Sequence, residues 1–261
     1  MTARYGDPDF QLETRNETID LQLRHRSVRR FLETPVSDGQ LTALVAAAQS
    51  SPTSSNLQVT SVIAVREPER KARLAALTRN AFIAQAPLFL VWVADLSRAR
   101  RLADRAGESV DATDYLESTL IGFVDTALAV QGAITAAESL ALGTCCIGGV
   151  RNAPIEIADE LGLPDGAFPV VGLVVGVPDP NESADIKPRL PQSVVLHHET
   201  YDADDAAAIA DYDERAAAYN RTFGLAGAWS DRVRARLAGV QSMVGRDAMR
   251  EWLQKRGLPS R

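Results

Sequence analysis

The sequence has little of the apparatus that would announce a function. Its two cysteines, Cys145 and Cys146, are adjacent. They form neither a spaced pair nor a disulfide framework, so nothing in them points to secretion. Three histidines without ligand spacing argue against a zinc site built by the protein, and no metal site is expected. No GxGxxG follows the first expected strand, and GxxxxGK[ST], GxSxG and HExxH are absent. A dinucleotide Rossmann site and a Walker site are therefore disfavoured. The opening stretch "MTARYGDPDF" is polar and has no apolar leader core, so no secretory signal is expected. Positive charge is not in excess either: the formal net charge is -6, which argues against general nucleic-acid binding. One apolar run, Leu120 to Leu142, is long, but it contains Asp125, Gln131 and Glu138, each costly in lipid. It reads as a buried helix, and the expectation is a cytoplasmic protein without membrane or nucleic-acid partners.

Apolar residues are 46 % of the 261 positions, enough for a real core. The expected organisation is one domain over 1–261, with 1–17 a flexible polar arm and about 200–261 a helical C-terminal excursion. Residues 19–31 read as a helix with Thr18 as N-cap. "SDGQ", Ser37 to Gln40, is a capping-box pattern opening a helix with Leu41, Leu44, Val45 and Ala48 on one face. Helices are also expected over Glu67 to Thr78, over Tyr115 to Leu142 with Gly143 as C-cap, and over "NAPIEIADELGLP". Strands are expected at "VTSVIAVR", Ala86 to Asp95, Thr144 to Ile147 and Pro169 to Pro178. The long helix and the separated strands predict an α+β sandwich, with helices covering one sheet.

Against the acidic background, "LRHRSVRRF" places His25 and four arginines within nine positions. On a helix, His25 and Arg29 would lie one turn apart, with Arg26 and Arg30 in the next row. Ser27 would add a hydroxyl, and a phosphate could take charge-assisted bonds from such a set. An arginine run on a helix is usually a solvated face. In "IKPRLP", Lys187 and Arg189 flank Pro188, which fixes the backbone; two cations on an extended segment can meet one phosphate, or form an ordinary surface loop. "SSPTSSNLQ", Ser50 to Gln58, offers hydroxyl donors to phosphate or sugar, or is simply a polar loop. "CCIGG" ends a strand with two glycines that would let a flat ring approach the backbone, or merely turn the chain. Phosphate-binding groups without an evident acid, base or nucleophile suit a bound cofactor that carries the chemistry itself.

In this order the pieces "HRSVRRF", "SSPTSSNLQ", "CCIGGVRN" and "DIKPRLP" resemble the FMN-dependent nitroreductases, in their oxygen-insensitive nitroreductase and flavin reductase branch. The similarity runs from about Leu21 to the C-terminus. It implies a nitroreductase-like fold, a mostly antiparallel sheet wrapped by helices, in an interleaved homodimer with FMN at the interface. It implies no catalytic side chain, the chemistry being that of FMN. His25, Arg26 and Ser27 would bind the FMN phosphate or ribityl chain, and Lys187 and Arg189 would complete the phosphate clamp. Arg29 would stand at the N1/O2 side of the ring and favour negative charge there. Ser54, Ser55 and Gln58 would reach FMN from the hydroxyl loop, and Ile147, Gly148 and Gly149 would line the ring.

Two positions depart from the family pattern. Asn80 stands where a glutamine commonly faces the flavin pyrimidine edge, and Cys146 where a tyrosine commonly precedes "IGG". In addition, "FGLAGAWSD" carries no cation between Arg221 and Arg232, where the branch grips the NADPH 2′-phosphate, so NADPH and NADH are both open as co-substrate. The implied activity is ping-pong reduction of nitroaromatics, quinones or free flavin. A specialised FMN enzyme performing dehalogenation, flavin destruction or dehydrogenation, and a non-enzymatic flavin-binding dimer, are the alternatives.

Overall fold

The computed structural model describes residues 2–7 and 10–261; the expected arm's Met1, Pro8 and Asp9 lie outside the described residues. The chain divides into two compact units. One comprises Ser27–Ala184 with Gly245–Arg261, the other Met1–Arg26 with Asp185–Val244.

The first unit is built on a four-stranded sheet of β1 (Thr60–Val65), β2 (Leu88–Asp95), β3 (Gly143–Ile147) and β4 (Ala167–Gly176), in the order β1-β2-β4-β3. Every pairing is antiparallel. Side chains alternate across a strand, so β2 feeds two cores. Leu88, Leu90 and Trp92 pack with Leu173 and Val175 of β4 on one face. Phe89, Val91 and Val93 pack with Val174 on the other. Burial on both faces explains why "LFLVWVAD" is apolar without alternation. The first face is covered by α3 (Asp38–Gln49) and α6 (Leu116–Ser139), the second by α4 (Pro68–Thr78) and α7 (Pro154–Leu161). A further helix, α5 (Ser97–Ala106), follows β2, and α10 (Met249–Lys255) closes the chain with Leu253 and Leu258 packed on Val59, Leu96 and Phe168. The architecture is α+β, as expected.

The second unit holds the short α1 (Thr2–Tyr5), α2 (Glu17–Leu23), α8 (Ala206–Thr222) and α9 (Trp229–Leu237). Of the C-terminal residues, Asp185–Val244 belong to this unit and Gly245–Arg261 to the first. The arm carries a buried anchor, because Arg4 is 7 % exposed and its guanidinium donates to the carbonyls of Leu23, His25 and Lys187.

Local signals explain the best-read elements. The capping box at Ser37 is present in both directions: Gln40 N–H donates to Ser37 Oγ at 3.1 Å and Ser37 N–H to Gln40 Oε1 at 2.9 Å. The helix at Pro154 opens on that proline and ends at Gly162, which takes φ 63°.

Two expectations are corrected. The helix expected over 19–31 ends at Leu23, and its N-cap is Asn16, whose side chain accepts Ile19 N–H at 2.9 Å. From Ser27 the chain runs extended. Ser27 bridges to Thr144, Val28 N–H donates to Thr144 O at 2.8 Å, and Phe31 bridges to Pro178. Val28 is 2 % exposed; burying it beside β3 outweighs the helix propensity of the arginines. His25 and Arg29 therefore share no helical face. Gly143 does not cap α6 but opens β3; the turn is made by Ala141 at φ 59°. A Cβ at Gly143 would meet Val28 Cγ2 at 2.8 Å, so a close approach, rather than a left-handed turn, requires glycine there.

Candidate functional site

The second unit gathers four of the expected basic residues, His25, Arg26, Lys187 and Arg189. Along 185–191 the backbone has no regular secondary structure, and exposure alternates: Lys187 and Arg189 are more exposed than their neighbours in the chain. Both cations line one cavity. Tyr212 holds the turn from beneath, its hydroxyl donating to Pro188 O at 3.0 Å. Burial pushes the Tyr212 phenol above its ordinary pKa, so the hydroxyl stays a donor at physiological pH. A cavity of about 740 Å³ opens beside the cations, lined among others by Tyr5, Lys187, Arg189, Gln192, Tyr212 and Trp229. Tyr212 and Trp229 meet edge to face there, with centroids 5.6 Å apart.

The backbone of both cation-bearing segments converges on Arg4. Its Nη1 donates to Lys187 O at 2.9 Å, its Nη2 to His25 O at 2.5 Å, and its Nε and Nη2 to Leu23 O at 3.3 and 3.1 Å. Its own carbonyl accepts Arg189 N–H at 2.8 Å. No sequence signal marks this residue, which sits in a segment read as a loose arm.

In the sheet unit, Ser27 and Arg29 flank buried Val28 on the extended run beside β3. Arg29 is exposed, and its backbone N–H donates to Glu182 Oε1 at 3.3 Å. The hydroxyl loop is held in an unusual shape. Ser55, Asn56 and Gln58 take φ of 47°, 54° and 52°, left-handed without being glycine. Such backbone persists where its surroundings over-determine it, and functional loops are a common place for it. The constraint here is Asp125, 4 % exposed on α6, which accepts Ser54 N–H through both carboxylate oxygens at 3.2 Å. Arg98 Nη1 adds a bond to Gln58 O. Ser54, Ser55 and Gln58 are left exposed.

After β3, Ile147 and Gly149 are buried and Gly148 half-buried. A Cβ on Gly149 would meet Asn80 Nδ2 and Thr78 O at 2.5 Å. Asn80 is therefore packed behind the glycine turn, its amide donating to Thr78 O at 2.6 Å. Asn152 donates to the same carbonyl at 3.0 Å and accepts from Arg246 Nε at 2.9 Å. Cys146 is accessible at its edge, yet crowding around the sulfur, with Cys145 and Glu138 beside it, pushes the thiol up to about 11. At physiological pH it is a neutral thiol and a poor nucleophile.

The structure thus draws His25 and Arg26 together with Lys187 and Arg189 through Arg4. It joins Ser27 to β3 and backs Gly149 with Asn80. It holds the hydroxyl loop on α6 rather than on β3. The sequence reading missed Arg4, Asp125 and Asn152 as organisers; Asp125 left a trace, as one of two carboxylates in an apolar run.

Similarity to known proteins covers nearly the whole chain. The sequence model described as Nitroreductase family matches residues 23–82 and 73–177, and that of the Nitroreductase family, C-terminal domain, residues 187–261. An FMN reductase [NAD(P)H] of Bacillus subtilis is 40 % identical over 93 % of this chain and 98 % of its own. An oxygen-insensitive NADPH nitroreductase of Salmonella typhimurium is 38 % identical over 94 % and 99 %. Among solved structures, NfrA2 of B. megaterium superposes with a TM-score of 0.87 at 41 % identity, covering 94 % of this chain and 98 % of that one. The NADPH:FMN oxidoreductase of Vibrio harveyi, complexed with NAD+, gives 0.84 at 34 % identity, covering 94 % and 100 %.

Proposed function

The chain belongs to the nitroreductase family, and from that premise we propose that it is an FMN-dependent NAD(P)H oxidoreductase that reduces nitroaromatics, quinones or free flavin by a ping-pong mechanism. The observation that carries this reading is the pairing of two cations that line one cavity, Lys187 and Arg189, with the His25–Arg26 segment through one buried guanidinium. That donor set suits a phosphate monoester. The half-buried Gly148 has nothing nearer to a built Cβ than Arg151 Nη2 at 3.5 Å, which suits a flat ring lying against the backbone. FMN, when bound, supplies hydride acceptance and donation.

The chain's own residues bind and tune. His25, Arg26, Lys187 and Arg189 would neutralise the phosphate, and Ser27 would donate to the phosphate or ribityl chain. Arg29 would bring positive charge to the pyrimidine side of the ring. Ser54, Ser55 and Gln58 would contribute polar contacts from a loop preset by Asp125. Ile147, Gly148 and Gly149 would present backbone to the ring, with Asn80 and Cys146 at its border. No side chain need act as acid or base, since solvent can supply protons.

A second copy of the chain is proposed to complete the site. Leu116, Leu120, Val124 and Leu128 recur every fourth residue along α6 and are 41–57 % exposed. The opposite face, including Ala129, Ala133 and Ala137, is buried in the core. By length and apolarity α6 could cross a membrane. One face in the core and one apolar face outside instead fit a helix shared between two copies. A cytoplasmic location accords with this reading.

The turn between α8 and α9 bears on the reductant. Gly224 and Gly227 take φ of 68° and 90°, and Asn220 Nδ2 donates to Gly227 O at 3.0 Å. No cation lies between Arg221 and Arg232 to meet a 2′-phosphate, which favours NADH as a working reductant beside NADPH. Steady-state assays with each nicotinamide against a quinone and a nitroaromatic test the function. Parallel double-reciprocal lines with either nicotinamide are expected; no turnover with both would overturn the reading.

A further inference from the structure

The four proposed phosphate ligands of the second unit sit on two segments more than 160 positions apart in sequence, residues 25–26 and 187–189. Two such segments do not stay in register unaided, because each loop gains entropy by moving independently. Something must hold their backbones, and a single side chain does. The Arg4 guanidinium donates to carbonyls on both sides, His25 O at 2.5 Å and Lys187 O at 2.9 Å, and also to Leu23 O at the end of α2. The backbone of Arg4 adds a further link through Arg189 N–H at 2.8 Å.

The residue is buried, at 7 % exposure, so water does not compete for these bonds. The planar fork of arginine reaches several carbonyls in fixed directions, whereas the lysine ammonium is a flexible point donor. The orphan carbonyl at the C-terminal end of α2 is a natural acceptor for a cation. Arg4 touches the peptide groups of the residues that carry these basic side chains.

We propose that Arg4 is a positioning residue that locks the His25–Arg26 and Lys187–Arg189 segments into one phosphate-binding cradle. The inference rests on the FMN reading above. The N-terminal segment thereby presets four basic residues, so that the ligand need not bear the entropy of gathering them.

The test uses the full-length apoprotein titrated with FMN and with riboflavin, which lacks only the phosphate. Riboflavin affinity is an internal control for folding and for the ring site. Wild type is expected to prefer FMN. Arg4→Met is expected to lower the FMN/riboflavin affinity ratio roughly tenfold, the scale of losing charge-assisted bonds, with riboflavin affinity changed less than about twofold. Arg4→Lys, which keeps charge and most of the volume, is expected to lower the ratio as well, and it serves if the methionine variant does not fold. In an Arg189→Ala background the Arg4 substitution is expected to cost less, because the group it positions is gone.

An unchanged ratio in both Arg4 variants would overturn the proposal while leaving the FMN reading intact. Equal losses of FMN and riboflavin affinity would overturn it too, since they mean general destabilisation. A wild type without preference for FMN over riboflavin would overturn the phosphate reading itself, and the role of Arg4 with it.

Discussion

Asp125 and Ser54 are 71 positions apart, yet the buried carboxylate on α6 receives the Ser54 N–H through both of its oxygens at 3.2 Å. A charge in the middle of an apolar helix is costly unless it is used. Here it sets the loop that carries Ser54, Ser55 and Gln58. Asp125→Ala is expected to cost about 1–3 kcal/mol in urea unfolding and to make residues 51–58 exchange amide hydrogens faster. Asp125→Asn keeps one acceptor and should lose less. Equal stability and exchange in wild type and the alanine variant would show that the loop holds itself.

The two glycines after β3 should behave differently. A Cβ at Gly149 lands 2.5 Å from Thr78 O, a backbone atom that cannot swing away. Gly149→Ala is expected to cost about 1–3 kcal/mol of stability through overpacking. Gly148→Ala meets only the end of Arg151 at 3.5 Å; it should leave stability nearly unchanged while weakening FMN retention, because the added methyl stands where the ring would lie. Thermal melts and FMN titrations on both variants check this, and equal stability losses would contradict it.

Arg26 and Arg29 are expected to separate binding from chemistry. Arg26→Ala should chiefly weaken FMN retention. Arg29→Ala should slow reduction of the bound flavin more than it weakens retention, because a charge placed at the ring matters most when charge develops there. Rapid-mixing reduction and equilibrium dialysis measure the two quantities; equal effects from both substitutions would contradict the division.

The strands and the major helices were legible because apolar runs and caps are local signals: "LFLVWVAD", the Ser37–Gln40 box and the Pro154 start each act within a few residues. The end of α2 was not. "HRSVRRF" has acceptable helix propensity, and only Thr144 and Pro178, far along the chain, draw Ser27 and Phe31 into bridges. Gly143 misled for the same reason, since its neighbour Val28 is distant in sequence. The candidate ligands were visible as residue types, the cations above all. Their organisers were not, because Arg4 acts on a carbonyl 183 positions away.

Two groups set opposite limits on pH stability. Burial disfavours ionised Asp95, but hydrogen bonds from Ser97 and Ser61, with the charges of Arg98 and Arg101, outweigh it and hold the carboxyl below its ordinary 3.8. A depressed folded pKa stabilises above the unfolded value, and that contribution is lost as pH falls through the folded one. Asp95→Asn should therefore be less stable than wild type near neutral pH, with the two converging as pH falls through the depressed folded pKa of Asp95. Cys146 works in reverse: its thiol, raised from 9.0 to about 11, ionises first in the unfolded chain, so stability declines as pH rises across that interval. Cys146→Ala should flatten the alkaline limb. Denaturant midpoints across the pH range check both, and parallel curves for wild type and variants would contradict them.

The most direct measurement is anaerobic mixing of the FMN-loaded protein with NADH and NADPH separately, following the visible flavin absorbance, then adding a quinone. At least one nicotinamide is expected to bleach the bound flavin, and the quinone to restore it. A flavin that neither nicotinamide bleaches, or a protein that takes up no FMN at all, would contradict the assignment.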